Sequence, residues 1–280
     1  MSDYTWLFFF WGFLFSLGVL EFKLSDHNIE PKRSARWPVN IGFGLVNGAV
    51  VSLLPIGTVL AAAWAAANDT GLLTALSTPF WLLVIMTILC RSLCQYVFHW
   101  LVHRVPLLWS VHRVHHCDTV LDGSTGLRFH PLELLASLAL IVPLTLVLGL
   151  DPSTLAIYET AEILIGIATH TSIRLPDAVE KSLRVLFITP GLHRLHHSDD
   201  LSEANSNFGT VFSFWDRLFG TYLATPKRNY SLFQCGVKGV DEKQANDFGW
   251  LFISPLAGPS NQRRSTAQPV GGRPRNAKLG

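Results

Sequence analysis

Eight of the eleven histidines in this chain fall into three tight groups. His99 and His103 stand four apart. His112, His115 and His116 form an H-x-x-H-H, and the pattern recurs at His193, His196 and His197. Spacings of three and four put side chains on one face of a helix, so each group offers several imidazoles in one direction. One metal ion takes about three or four such ligands. Eight clustered imidazoles, with His130 and His170 between the second and third groups, point to two metal ions in one site, and hence to a reaction. Structural zinc favours cysteine and needs only four ligands. Cys90, Cys94, Cys117 and Cys235 form no C-x-x-C pair. Cys117, beside His116, is read as packing, and His27, alone in a polar stretch, as solvated.

Imidazole suits iron, zinc and copper alike. Two iron ions that take up dioxygen account for both the number of ligands and their apolar setting. Such a pair oxidises unactivated C–H bonds of a lipid, while the protein supplies position and a dry cavity. Hydroxylation is the first reading. Desaturation of the same substrate begins with the same hydrogen abstraction and stays open. Metal transport or storage would place ionisable ligands near the midplane of several spans, whereas these clusters sit at span ends and in loops. A zinc-dependent hydrolase would need a water-activating carboxylate among the ligands. Glu133 and Asp199 are the nearby candidates, and no H-E-x-x-H is present.

Apolar helices must position these imidazoles. Of the 280 residues, 49% are hydrophobic and 15% charged, and mean hydropathy is +0.31. That is poor in charge for a soluble domain, where about a quarter of residues are charged. The expected fold is an all-α polytopic membrane protein. Tyr4–Leu20, Val39–Ala63 and Pro79–His99 are candidate spans, as are Leu132–Leu150 and Leu155–Thr169, which Asp151-Pro152-Ser153 separates as a turn. About four helices cross, or five if this last hairpin inserts fully. Tyr4–Leu20 reads as a retained span rather than a signal peptide, because no small-residue cleavage site follows it. Lys23, Lys32, Arg33 and Arg36 follow the first span, and Ala67–Thr78 holds no Lys or Arg. Positive loops stay in the cytoplasm, which gathers all three clusters on the cytoplasmic face, in a bacterial inner membrane or the endoplasmic reticulum. The stretch after Gly258, rich in Pro, Gly, Ser and Arg, is expected to be disordered. A net charge of +2 gives no reason to expect a nucleic-acid partner.

Polar groups inside the spans are expected to support the metal site. Arg91, Gln95, His99 and His103 recur every four residues. A charge in a span normally faces the bundle interior, and Glu159 or Glu162 is the acidic partner available to Arg91. Glu162, Gly166 and His170 share a face with Glu159 beside it, and the two glutamates are expected to orient a ligand imidazole. For His130 and His170, metal ligation and plain hydrogen bonding stand even.

At these residues the chain resembles the fatty acid hydroxylase/sterol desaturase superfamily of membrane di-iron oxygenases. The likeness runs from about Ser92 to Thr221. It rests on His99-x-x-x-His103-Arg104, Leu108-Trp109 before His112-x-x-His115-His116, Arg128-x-His130-Pro131, His193-x-x-His196-His197, Asn207-Phe208-Gly209 and Trp215-Asp216-x-x-Phe219-Gly220-Thr221. The resemblance implies that the eight clustered histidines hold two iron ions on the cytosolic face. It also implies dioxygen as co-substrate, a lipid substrate in the membrane, and Asp216 as support behind the ligands. Ser92 stands where many members carry an acidic residue. Electrons are expected from a separate donor, a ferredoxin or a small haem protein with its reductase. The organisation expected is N-terminal spans and a basic loop over 1–78, a histidine-box catalytic domain over 79–225, and an extension with a basic tail over 226–280.

Overall fold

The computed structural model describes residues 3–25, 33–228 and 233–257. Lys32, His27 and the stretch from Gly258 onward lie outside the described residues. Long helices come first: α1 (Asp3–Leu24), α2 (Arg33–Leu53), α3 (Thr58–Ala67), the single turn α4 (Leu72–Ala75), and α5 (Phe80–Arg104). Helix α6 (Pro106–His116) follows, and a 3-10 turn at Gly123–Leu127 leads to α7 (Pro131–Leu148) and α8 (Pro152–Thr169). Shorter helices complete the chain: α9 (Asp177–Leu183), α10 (Pro190–His196), α11 (Leu201–Ala204), α12 (Phe214–Leu218), α13 (Glu242–Ala245) and α14 (Phe248–Ile253).

Proline sets where the histidine-bearing helices begin. The residue before proline is pushed out of the helical region, while proline itself fits the first helical position. Val105 is extended, so α5 stops at Arg104 and Pro106 starts α6. The two helices pack closely against each other, which brings His99 and His103 to His112 and His116. The same device opens α7, α8 and α10, where His130, Asp151 and Thr189 cap the first turn by accepting a backbone N–H. The α7–α8 turn is close-packed. Gly149 ends α7 at φ 68°, and a Cβ there would sit 2.8 Å from the Thr70 carbonyl.

Among the described residues, three segments are long and apolar enough to cross a membrane: Arg33–Ala75, Phe80–Arg104 and Pro131–Leu148. Four or five were expected. The expected span Val39–Ala63 is two helices, because Pro55 and Gly57 break the chain between α2 and α3. Helix α8 is formed as expected, but with Glu159 and Glu162 along it, it is not among the three.

Arg36 departs from its expected place among loop cations. It lies inside α2, 2% exposed. It donates two hydrogen bonds to Asp118, at 2.6 and 2.8 Å, and one to Asp122 at 2.8 Å. Asn40 donates to Asp118 as well, and its side-chain oxygen accepts from Arg128. This buried network pins α2 to the loop after the second histidine group. Burial alone would raise the Asp118 carboxyl; the Arg36 hydrogen bonds and the Arg128 charge outweigh it and hold it below its ordinary value. Apolar contact reinforces the join: Val39, Phe43, Trp109, Val114, Cys117, Val237 and Leu251 form one cluster. Cys117 therefore packs, and burial pushes its thiol up to about 11. Residues 233–257, grouped by sequence with the tail, belong to this cluster through Val237 and Leu251. They also supply the Ala245, Phe252 and Ser254 carbonyls that accept from Arg128, His130 and Arg113.

Candidate metal centre

The fold brings nine of the ten expected histidines together, in two groups. His99, His103, His112, His116 and His196 form one; His115, His170, His193 and His197 form the other. Within each, the ring nitrogens lie within 4.8 Å of one another, and every member is buried. The groups touch: the rings of His116 and His197 stack at 4.4 Å, and those of His193 and His196 stack at 5.4 Å. Helix periodicity explains the sharing. On α6, His112 and His116 lie four apart and face the first group, while His115 turns toward the second. On α10, His196 joins the first and His193 the second, where it is met by His197, four residues on at the helix's C-terminal cap.

Proton bookkeeping shows that these groups fit metal ions. A carbonyl oxygen only accepts, so a ring nitrogen bonded to one carries the proton. The Nδ1 atoms of His99, His115, His170 and His196 donate to the carbonyls of Phe208, Arg128, Gly166 and Ser206, at 2.7, 3.2, 2.6 and 2.8 Å. His112 Nδ1 lies 2.7 Å from the Glu133 carboxylate. In a neutral imidazole the Nε2 atoms opposite are then bare lone pairs. Burial, with neighbouring imidazoles adding to it, holds His115, His116, His193 and His197 well below the ordinary histidine value. Burial also lowers His170 to about 4 and His196 to about 3. These rings are neutral near pH 7, the form that binds metal.

Yet His115 and His170 bring two such bare Nε2 atoms to 3.1 Å. The chain continues from His170 to His193 at 2.8 Å and from His193 to His197 at 3.2 Å. His112 and His116 stand at 3.2 Å in the other group. Lone pairs facing one another in a dry site repel unless a cation lies among them. Two nitrogens about 2.1 Å from one ion and at right angles sit about 3 Å apart. In addition, the Nε2 atoms of His99 and His196 and both ring nitrogens of His103 are buried without a hydrogen-bond partner, a cost native structures avoid.

His130 is not brought to either group. Its Nδ1 accepts from the Leu132 N–H and its Nε2 donates to the Phe252 carbonyl, so both ring nitrogens are spent on the start of α7. Of the expected supporting residues, Arg91 meets its expected acidic partners, while the two glutamates do not take the imidazole-orienting place read from sequence. Glu159 and Glu162 contact no imidazole. Both pair with Arg91, at 2.7 and 2.8 Å, while Thr58 donates to Glu159 and Thr210 to Glu162. Gln95 accepts from Arg91 at 3.4 Å. These four side chains tie α8 to α5. Asp216 accepts from the backbone N–H groups of Phe208 and Gly209 and from the Thr221 hydroxyl. It therefore reaches His99 through the Phe208 carbonyl. Asn207, at φ 52°, shapes the loop that offers the Ser206 and Phe208 carbonyls to His196 and His99. Ser92 accepts from the Trp215 indole N–H at 3.1 Å.

Sequence reasoning named Glu133 only as a hydrolase base, but the structure makes it the carboxylate partner of His112. The signal was the run His130-Pro131-Leu132-Glu133. Proline fixes the first turn of α7, and that turn faces α6.

A cavity of about 750 Å³ opens onto both histidine groups. His99 and His112 reach it from one, and His115, His170 and His193 from the other. Its walls are the apolar helices α2, α5, α7 and α8.

The sequence profile of the fatty acid hydroxylase family matches residues 84–221, a segment that holds all ten expected ligands. The chain belongs to the fatty acid hydroxylase superfamily. Ornithine lipid hydroxylase OlsE of Rhizobium tropici is 30% identical over 197 residues, 70% of this chain and 55% of the relative. Alkylglycerol monooxygenase of Homo sapiens is 30% identical over 131 residues, 46% of this chain and 28% of the relative. Cholesterol 25-hydroxylase of Mus musculus is 26% identical over 151 residues, 53% and 49% of the two chains. The superfamily match thus spans about half or less of these relatives' lengths. No solved structure matches the chain.

Proposed function

We propose that this protein is a membrane oxidoreductase that hydroxylates a C–H bond of a lipid with dioxygen, using two iron ions held by nine histidines. One observation carries the reading: two adjoining groups of buried, neutral imidazoles turn bare ring nitrogens inward at the end of a cavity walled by apolar helices. His99, His103, His112, His116 and His196 would hold one ion, and His115, His170, His193 and His197 the other. When bound, the ions supply the oxidising chemistry that no side chain possesses. Oxygen and electrons balance as RH plus dioxygen, two electrons and two protons giving ROH and water, with the electrons drawn from a separate carrier.

The chain's own residues fix geometry. Backbone carbonyls at Arg128, Gly166, Ser206 and Phe208, together with Glu133, set the tautomers and ring planes. The cavity walls shield the reacting carbon from water. Hydroxylation is preferred over desaturation because the related proteins are named as hydroxylases and monooxygenases. Lys23 and Lys32, against a cation-free Ala67–Thr78, support a cytoplasmic face for the site.

The test is a turnover of iron-loaded protein, a chemical reductant and membrane lipid extract under isotopically labelled dioxygen. The expected product is a lipid gaining one labelled oxygen atom. Label arriving from water instead would mark a hydrolase and contradict the proposal.

A further inference from the structure

Resting on that reading of the cavity as a lipid site, its wall also limits which lipid enters. Among the described residues, Arg91 is the only lysine or arginine lining it. That cation is fully engaged, by Glu159, Glu162 and Gln95. What the wall leaves open is mostly acceptors. Glu133, 8% exposed, spends Oε1 on His112, and its Oε2 has no partner. Asn47 gives its amide to the Phe129 carbonyl, and its Oδ1 has no partner. Ser52 and Ser137 donate their protons to the Gly48 and Leu134 carbonyls, so their oxygens can only accept. Among the described lining residues, the donors left open are uncharged: the Gln95 amide and the unpartnered Nδ1–H of His193.

We propose that the cavity selects lipids presenting an uncharged hydroxyl or amide N–H, which donates to Glu133 and Asn47, and disfavours lipids ending in a free carboxylate or phosphate. An unsatisfied buried acceptor costs free energy until a donor reaches it. A hydroxyl or amide meets that need and can accept from Gln95 in return. A carboxylate meets neither Oε2 nor Oδ1, and it finds no free cation on the wall. The one opposing force is the charge of the bound ions, so the test must use metal-loaded protein.

The experiment is displacement of radiolabelled cetyl alcohol from iron-loaded protein in nanodiscs, kept anaerobic so that no turnover occurs. Competitors are unlabelled cetyl alcohol, palmitamide and palmitic acid, which share one chain length. The alcohol and the amide should compete about tenfold or more better than the acid. Asn47→Leu should weaken the alcohol and the amide several-fold and leave the acid unchanged, while Asn47→Asp, which keeps the acceptor, should retain the preference. Palmitic acid competing as well as or better than the alcohol, drawn by the ions, would overturn the inference. So would an unchanged ratio in folded Asn47→Leu. Failure of all three lipids to bind would overturn the lipid cavity itself, and with it the proposed function. Binding without preference would sink only the selectivity.

Discussion

The two histidine groups are built differently. The five-histidine group draws four of its members from α5 and α6, neighbours in sequence joined at a single proline, and one from α10. It has the one carboxylate support, Glu133. The four-histidine group takes one imidazole from α6, one from the end of α8 and two from the α10 segment. Its ring nitrogens already form a chain at 3.1, 2.8 and 3.2 Å, and its outward hydrogen bonds run to backbone carbonyls. The first group is therefore set by local helix geometry. The second depends on where α8 sits. The Arg91 pair to Glu159 and Glu162 and the close turn at Gly149 hold α8 in place.

The largest break in this comparison is His193→Ala. It removes the middle of the four-nitrogen chain, so activity should fall to background and bound metal should drop from about two ions per chain to about one. His103→Ala leaves four imidazoles in its group and should keep more of its metal. Metal analysis of both variants, purified anaerobically with ferrous iron, checks the difference. Equal losses would show that the two groups do not act as separate sites.

Arg91→Leu comes next. It strands two partly buried carboxylates; removing one partner of a fully buried pair costs about 3–5 kcal/mol, which is the upper bound here. Because the pair fixes α8, metal should leave the four-histidine group first. Replacing Glu159 and Glu162 by Gln in the same chain should restore most of the stability, as read by thermal unfolding in detergent. Purely additive losses would mean that Arg91 does not act through these partners.

A smaller effect is expected at Glu133. Loss of a carboxylate behind a ligand imidazole costs about 10–100-fold in metal affinity, so Glu133→Ala should loosen the ion of the five-histidine group and leave the other in place. Competition with a chelator of graded strength resolves the two. The smallest effect is at His130. Its Ala variant should retain both ions and lose about 1 kcal/mol, through the weakened start of α7. Loss of an ion there would make His130 a ligand after all.

The all-helical fold and eight clustered histidines were legible because helical spacing is written directly in sequence. His170 was legible only as an even choice, since a lone histidine becomes a ligand through the position of α8 rather than through any local pattern. The Arg91 pairing could be named from burial cost alone, but not that both glutamates would share it. Neither could sequence reveal that this would occupy them away from the imidazoles. The acceptors that orient the rings are mostly backbone carbonyls, which leave no residue-type signature. The same holds for Arg36, which reads as a loop cation until folding buries it against Asp118. The break between α2 and α3 was visible in Pro55 and Gly57, yet the apolar run around them masked it.

The central claim is that the two groups hold two ions. Anaerobic titration of the metal-free protein with ferrous iron tests it most directly, followed by metal counts on the wild type and on His170→Ala. The account predicts saturation at about two ions for the wild type and about one for His170→Ala. A wild-type chain that saturates at one ion or none would contradict it.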